Sequence, residues 1–410
     1  LVGTDLSVRA KGKDLSRLSK LTRLRLPPGP FQVVGRILRR ADGIAVDGVE
    51  LRFRDAVIRA EGMLGQPPQL ASPDLTVDAS GPDLSAFSEL ATVELPQAPF
   101  ELRGRIARDD GALQLDAVEG RLGDDAVSVS GRLALARRLE GTAVEVRVAG
   151  PDLATLSSRA GLRGAPAQPY DVRGGVRVVP GGFELEGVRG SVGRVSVDVE
   201  GRIGATTGLD GTSLSCRARG PALSDLAAWG LPAGLPADPF SVQGRLRIQE
   251  GLYRAEGVVA KIGPDRAGVD GVLGVLPDLS RLDLAVEAQG PSLAGLGRFL
   301  VAAGRAAPDR VPATAYEISG RLRRVPPGYE LGDVRAKVGE VVVRLGGTVG
   351  AARDLAGSEL RIEVSGPDLA TALGPIAGAA HVPAVPFEIS ADLAGSVEGV
   401  AARRLAARLG

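Results

Sequence analysis

The stretch Ser80–Gly104, SGPDLSAFSELATVELPQAPFELRG, joins the end of one alternating run to the start of another. Between them lie a cappable helical turn and a proline-bracketed link. Its parts return along the chain. The signal Gly-Pro-[Asp/Ser/Ala]-Leu, written Gly-Lys-Asp-Leu in the first copy, begins at Gly12, Gly81, Gly150, Gly220, Gly290 and Gly366, at spacings of 69, 69, 70, 70 and 76. An aromatic-x-aliphatic-x-Gly signal begins at Phe31, Phe100, Tyr170, Phe240 and Tyr316, and recurs at Phe387 with Ala391 in place of the glycine. A third glycine stands 19 residues ahead of each later signal, at Gly62, Gly131, Gly201, Gly271 and Gly347. Three markers in step define a repeat of about 70 residues.

The residues inside one period alternate. Ahead of the Gly-Pro signals stand Leu6/Val8/Ala10, Leu75/Val77/Ala79, Val144/Val146/Val148, Leu214/Cys216/Ala218, Leu284/Val286/Ala288 and Leu360/Ile362/Val364, with mostly polar residues between them. That is the period of a strand with one apolar and one wet face. The strand after the link repeats it, with Phe100, Leu102, Gly104 and Ile106 on one side and Glu101, Arg103 and Arg105 on the other. Two further strands are expected over Ala112–Leu122 and Ala126–Leu135, parted by a turn at Gly123-Asp124-Asp125. A period therefore holds about four antiparallel strands and one helix of about eight residues, capped by Asp14, Asp83, Asp152 or Asp368. Proline pairs such as Pro96/Pro99 and Pro236/Pro239 stop the helix and feed the next strand.

The expected boundaries are a partial repeat over 1–30, repeats over 31–99, 100–169, 170–239, 240–315 and 316–386, and a partial repeat over 387–410. The helix of 240–315 is lengthened around Leu293–Ala303. The fold class is all-β: an elongated, curled antiparallel sheet of roughly 23 strands forming one continuous groove. An even strand count per period returns every linker to the same rim. Mid-strand glycines at 35, 104, 174, 244 and 320 permit bends and bulges, and Arg36, Arg105, Arg132, Arg202, Arg245 and Arg321 belong on the outer face.

Composition narrows the function. Hydrophobic residues make up 44% but aromatics only 3%, so the apolar face is aliphatic. With 50 basic against 49 acidic residues, nothing points to nucleic acid. One cysteine and one histidine, Cys216 and His381, provide neither a disulfide framework nor a Cys/His metal site. Cys216 reads as a lining residue, His381 as a loop residue and Trp229 as packing against the sheet end. The longest uncharged run, over 371–387, is broken by prolines and is no membrane span. No leader precedes the first strand, so the chain is expected to be cytosolic or a segment whose targeting sequence lies elsewhere. No nucleophile–base pair, phosphate loop or cofactor motif stands out, and an enzyme is not expected.

The chain resembles the AsmA-like family of bacterial envelope proteins, which includes the AsmA, TamB and YhdP types. The resemblance is carried by the recurring Gly-Pro-Asp-Leu block (Gly81–Phe87), the Leu-Pro-x-x-Pro-Phe link (Leu95–Phe100), Phe-x-Leu-x-Gly-Arg (Phe100–Arg105) and the turn-strand Asp110–Leu115. It implies a periplasmic protein, anchored in the inner membrane by a segment absent from this chain, with partner proteins in either membrane. It also implies a β-groove that carries phospholipid between inner and outer membranes. Gly175 in place of the arginine, Ala222 in place of the capping aspartate, and Ala391 depart from the pattern. The expected lining is Leu6, Val8, Leu75, Val77, Leu102, Ile106, Val144, Val146, Val148, Val172, Leu214, Cys216, Val242, Leu284, Val286, Ile318, Leu360, Ile362 and Val364, with phospholipid acyl chains as the ligand and no metal or cofactor. A structural or adhesive β-array, or an assembly factor for outer-membrane proteins that receives client strands at a sheet edge, are the alternatives.

Overall fold

The computed structural model describes residues 3–19, 26–65, 73–91, 95–109, 112–134, 139–159, 164–205, 208–232, 234–275, 281–302, 312–326, 328–350, 356–370, 372, 382–396 and 399–410. The chain divides into two units, Leu1–Gly193 and Arg194–Gly410. Among the described residues of both, the architecture is all-β and antiparallel, with 23 strands in total.

The first unit runs β1 (Asp5–Gly12), β2 (Phe31–Arg39), β3 (Ile44–Phe53), β4 (Ala56–Met63), β5 (Asp74–Gly81), β6 (Phe100–Asp109), β7 (Ala112–Leu122), β8 (Asp125–Ala134), β9 (Ala143–Gly150), β10 (Tyr170–Val179) and β11 (Gly182–Val192). Each strand pairs with its neighbours in sequence. The second unit runs β12 (Val195–Gly204), β13 (Thr212–Gly220), β14 (Phe240–Gln249), β15 (Leu252–Ile262), β16 (Asp265–Gly274), β17 (Asp283–Gly290), β18 (Tyr316–Val325), β19 (Gly328–Val338), β20 (Val341–Val349), β21 (Glu359–Gly366), β22 (Phe387–Ser396) and β23 (Gly399–Leu409). It too is a meander of consecutive pairs.

The linkers are more varied than one helix of about eight residues. Leu15–Leu18 is a 3-10 turn of 4 residues, whereas Leu84–Phe87 continues into an α-turn at Ser88–Ala91. Leu153–Arg159 is α-helical and Leu223–Trp229 is 3-10, each of 7 residues, and the lengthened Leu293–Ala302 has 10. The expected aspartates do cap: Asp14 accepts from the Ser16 N–H (3.0 Å), Asp83 from Ser85 (2.9 Å), Asp152 from Ala154 (3.0 Å) and Asp368 from Ala370 (2.9 Å). Ala222 provides no such bond.

Because each period has an even number of strands, the linkers within a unit share one rim, and the densest packing lies there. In the first unit Leu15, Phe53, Ala56, Phe87 and Phe100 form a buried cluster, with the Phe87 ring 5.6 Å from Phe53 and 5.8 Å edge-on from Phe100. In the second, Val195, Leu223 and Phe240 do the same. The linkers therefore plug the rim and leave the middle of the sheet uncovered. No helix among the described residues is long and apolar enough to cross a membrane.

Candidate functional site

The alternation builds a continuous apolar floor in each unit. Its central row in the first unit begins Val8, Gly35, Val49, Ala60, Val77, Gly104 and continues Val118, Val129, Val146, Gly174, Val188. In the second it begins Val199, Cys216, Gly244, Val258, Val269, Val286 and continues Gly320, Val334, Leu345, Ile362, Ala391, Leu405. No polar side chain interrupts either row, apart from the weakly polar thiol of Cys216, whose pKa burial pushes up.

The mid-strand glycines do more than permit bends. Opposite Gly104, strand β7 sets two residues, Ala117 and Val118, against one, a single-residue bulge. Ala117 takes the left-handed conformation at φ 47°, which turns Val118 back onto the apolar face. A Cβ on Gly104 would lie 2.7 Å from Val118 Cγ2, so the valine occupies the place the glycine leaves. The same exchange joins Gly35 to Val49, Gly174 to Val188, Gly244 to Val258 and Gly320 to Val334. In the last copy Ala391 faces Leu405, and the register shift moves to Asp392/Leu393. The glycines that follow the bulged strand, such as Gly131 at φ 119°, hold a conformation barred to side-chain-bearing residues. A Cβ there would meet the Ala143 carbonyl oxygen at 2.5 Å.

Of the expected lining residues, Leu6 is 54% exposed, and Val8, Leu75, Val77, Leu102, Ile106, Val144, Val146, Val148, Val172, Leu214, Cys216, Val242, Leu284, Val286, Ile318, Leu360, Ile362 and Val364 are half-buried. All stand on the apolar face; none is sealed beneath another protein layer. Trp229 is half-buried, Leu293 and Leu296 likewise, and His381 lies outside the described residues.

The opposite face is ionic. Arg36, Arg105, Arg132, Arg202, Arg245 and Arg321 are exposed there. Arg105 forks onto Asp74 with both bonds at 2.6 Å, Arg321 onto Asp283 at 2.6 and 2.7 Å, and Arg36 likewise onto Asp5. These guanidiniums hold the Asp5, Asp74 and Asp283 carboxyls below the usual carboxylate range. At Gly175 the arginine is missing, and Arg147 instead pairs with Asp171 at 2.7 Å.

Two features of the rims escape the sequence reading. Asp125, expected in a turn, instead begins β8, 3% exposed, and accepts the Tyr170 hydroxyl at 2.8 Å and Arg159 Nη1 at 3.2 Å. Asp265 likewise accepts the Tyr316 hydroxyl at 3.2 Å. The same position carries Ala56, Val195 and Val341 where the aromatic beside it is Phe100, Phe240 and Phe387. Aspartate accompanies tyrosine and an apolar residue accompanies phenylalanine, in alternate repeats. Burial, together with the neighbouring aspartate, raises both phenols, Tyr316 to about 12. The signal was a second period of 140 residues, from Asp125 to Asp265.

The second missed feature lies at the far rim. Arg39, Arg108 and Arg324 each stand eight residues after the strand-opening aromatic, in step with the apolar positions. They end the inward-facing series Phe31–Ile37, Phe100–Ile106 and Tyr316–Leu322. The third and fourth whole repeats carry Val178 and Ile248 there.

No family model matches the chain, and comparison with curated proteins and with solved structures finds no match either.

Proposed function

We propose that this chain is a non-enzymatic, lipid-binding bridge that shields phospholipid acyl chains on its apolar β-face. The carrying observation is the uninterrupted aliphatic row of each unit, half-buried and uncovered by the linkers. Each methylene drawn from a bilayer into water costs about 0.8 kcal/mol, so two ordinary acyl chains cost roughly 20–25 kcal/mol. A continuous floor offsets much of that cost at every step along it; separated patches would leave the chain wet between them. Together with the resemblance to AsmA-like proteins, this favours passage between the inner and outer membranes of a bacterial envelope. Under that reading the chain works in the periplasm, held at the inner membrane by a segment outside these 410 residues.

The chemistry of the floor supports a passive role. Cys216 lies between Val199 and Gly244 with no base beside it among the described residues, and its thiol is biased toward the protonated form. Valines only half-buried also disfavour a packed adhesive array, in which the same face would be dry and sealed.

The test is mass spectrometry of lipid that co-purifies with the chain, alongside Val146→Asp and Val286→Asp, one substitution per unit. Wild type is expected to retain phospholipid, and either aspartate to reduce it several-fold while far-UV circular dichroism is unchanged. A wild-type chain free of lipid would overturn the reading. Photo-cross-links from floor positions into the protein itself would favour the packed array, and cross-links at a sheet edge to outer-membrane client strands the assembly factor.

A further inference from the structure

We infer that Arg39, Arg108 and Arg324 are phosphate-binding residues at the far rim of the apolar face, each holding the headgroup phosphate of a phospholipid whose acyl chains lie on the adjoining floor. The inference rests on the lipid-binding reading above and adds to it a headgroup subsite.

The three arginines occupy one structural position. The backbone N–H of each donates, at 2.8 Å, to the carbonyl just ahead of the preceding strand: Arg39 to Thr4, Arg108 to Pro73 and Arg324 to Leu282. Each follows an inward aliphatic residue by two places, Ile37, Ile106 or Leu322, so its side chain springs from the apolar face at the end of its strand. They contrast with the outward arginines three residues earlier, which are engaged by aspartates. Among the described residues no ion pair holds Arg39, Arg108 or Arg324.

Arg39 carries the plainest sign of a missing ligand. Its Nη1 is buried and has no hydrogen-bond partner. A charged donor left so is costly, and an anionic oxygen would satisfy it. Arg324 lies over the Tyr329 ring, 4.6 Å from its centroid. That contact uses the flat face of the guanidinium and leaves its N–H edge free to fork onto two phosphate oxygens. Equivalent positions in successive repeats are four strands apart, about 19 Å. Arg39 and Arg108 are therefore too distant to share one phosphate, and each takes its own lipid. Val178 and Ile248 leave the third and fourth repeats without a headgroup contact, so a lipid beside either is held by its tails alone.

The test offers the full chain, stripped of lipid in detergent, to vesicles containing phosphatidylglycerol and diacylglycerol in equal amounts. Bound lipid is then counted after re-isolation. Wild type is expected to prefer the phospholipid by about tenfold, the discrimination of one charge-assisted contact. The triple variant R39Q/R108Q/R324Q should take up as much total lipid without the preference, and the triple lysine variant should fall between, because it keeps charge but loses the fork. A glutamine variant that keeps the preference overturns the headgroup assignment and leaves the lipid reading standing. A wild-type chain that takes up neither lipid overturns both. Inorganic phosphate bound as tightly as the phospholipid would replace the headgroup site by a free-anion site.

Discussion

A single side chain decides whether the repeat closes. Gly104 gives its space to Val118, and Gly150 gives its space to the Asp125 carboxylate, whose Oδ1 would lie 1.9 Å from an added Cβ. The aspartate–tyrosine pairs set a pH dependence. The folded protein holds the Tyr316 proton up to about 12, first through burial and then through Asp265. The unfolded chain releases it near the ordinary value of about 10. Between those two values the native state binds more protons, so stability contributed by this group is complete below about pH 10 and is lost as pH rises toward about 12. Tyr316→Phe is expected to flatten that alkaline slope in urea unfolding. Near neutral pH it should lower stability by about 1–2 kcal/mol, because Asp265 loses its buried donor. An unchanged slope would place the titrating group elsewhere.

At the scale of the element, one linker turn lacks the aspartate cap that four others share. The turn Leu223–Trp229 starts at Ala222, whose extended backbone (φ -145°, ψ 130°) matches that of Asp14 and Asp83, yet its side chain accepts nothing. Ala222→Asp should therefore add a bond to an orphan N–H of the first turn and raise stability by up to about 1 kcal/mol, read as a higher urea midpoint at constant slope. Strands and caps were legible because they depend on local chemistry: alternation needs only its own ten residues, and a cap needs only its own turn. The bulges were not, since Ala117 and Asp333 take left-handed φ without the glycine that marks Gly48, Gly187 and Gly257. Asp125 was misread for a related reason. Beside Gly123-Asp124 it resembles a turn residue, and only Tyr170, 45 residues later, reveals its burial. The rim arginines were hidden by charge itself, because a basic residue at a strand end reads as solvated.

For the whole molecule, the repeats are interchangeable only in part. Deleting residues 100–169 joins Pro99 to Tyr170 and lays that ring beside Ala56 instead of Asp125. Strand pairing in the first unit is strictly between consecutive strands, so the shortened chain should still fold. Its Tyr170 hydroxyl, however, would be buried without an acceptor. Tyr170→Phe is therefore expected to stabilise the deletion variant by about 1–2 kcal/mol and to destabilise the intact chain by a similar amount. Thermal unfolding of the four proteins checks the reversal of sign; the same sign in both backgrounds would show that Asp125 is not what selects tyrosine. The apolar face was readable at this scale because its alternation recurs in six copies, whereas the alternating pair has only two instances of its polar form.

The same alternation bears on how such a chain could grow. Within 100–386, duplicating one period sets an aspartate against a phenylalanine, or a tyrosine against an aliphatic residue, at the new seam. Duplicating two adjacent periods of that span together reproduces the matched order. Recombination that copies the gene in blocks of about 140 codons thus yields a working protein at once, while a copy of half that size needs a second, compensating change.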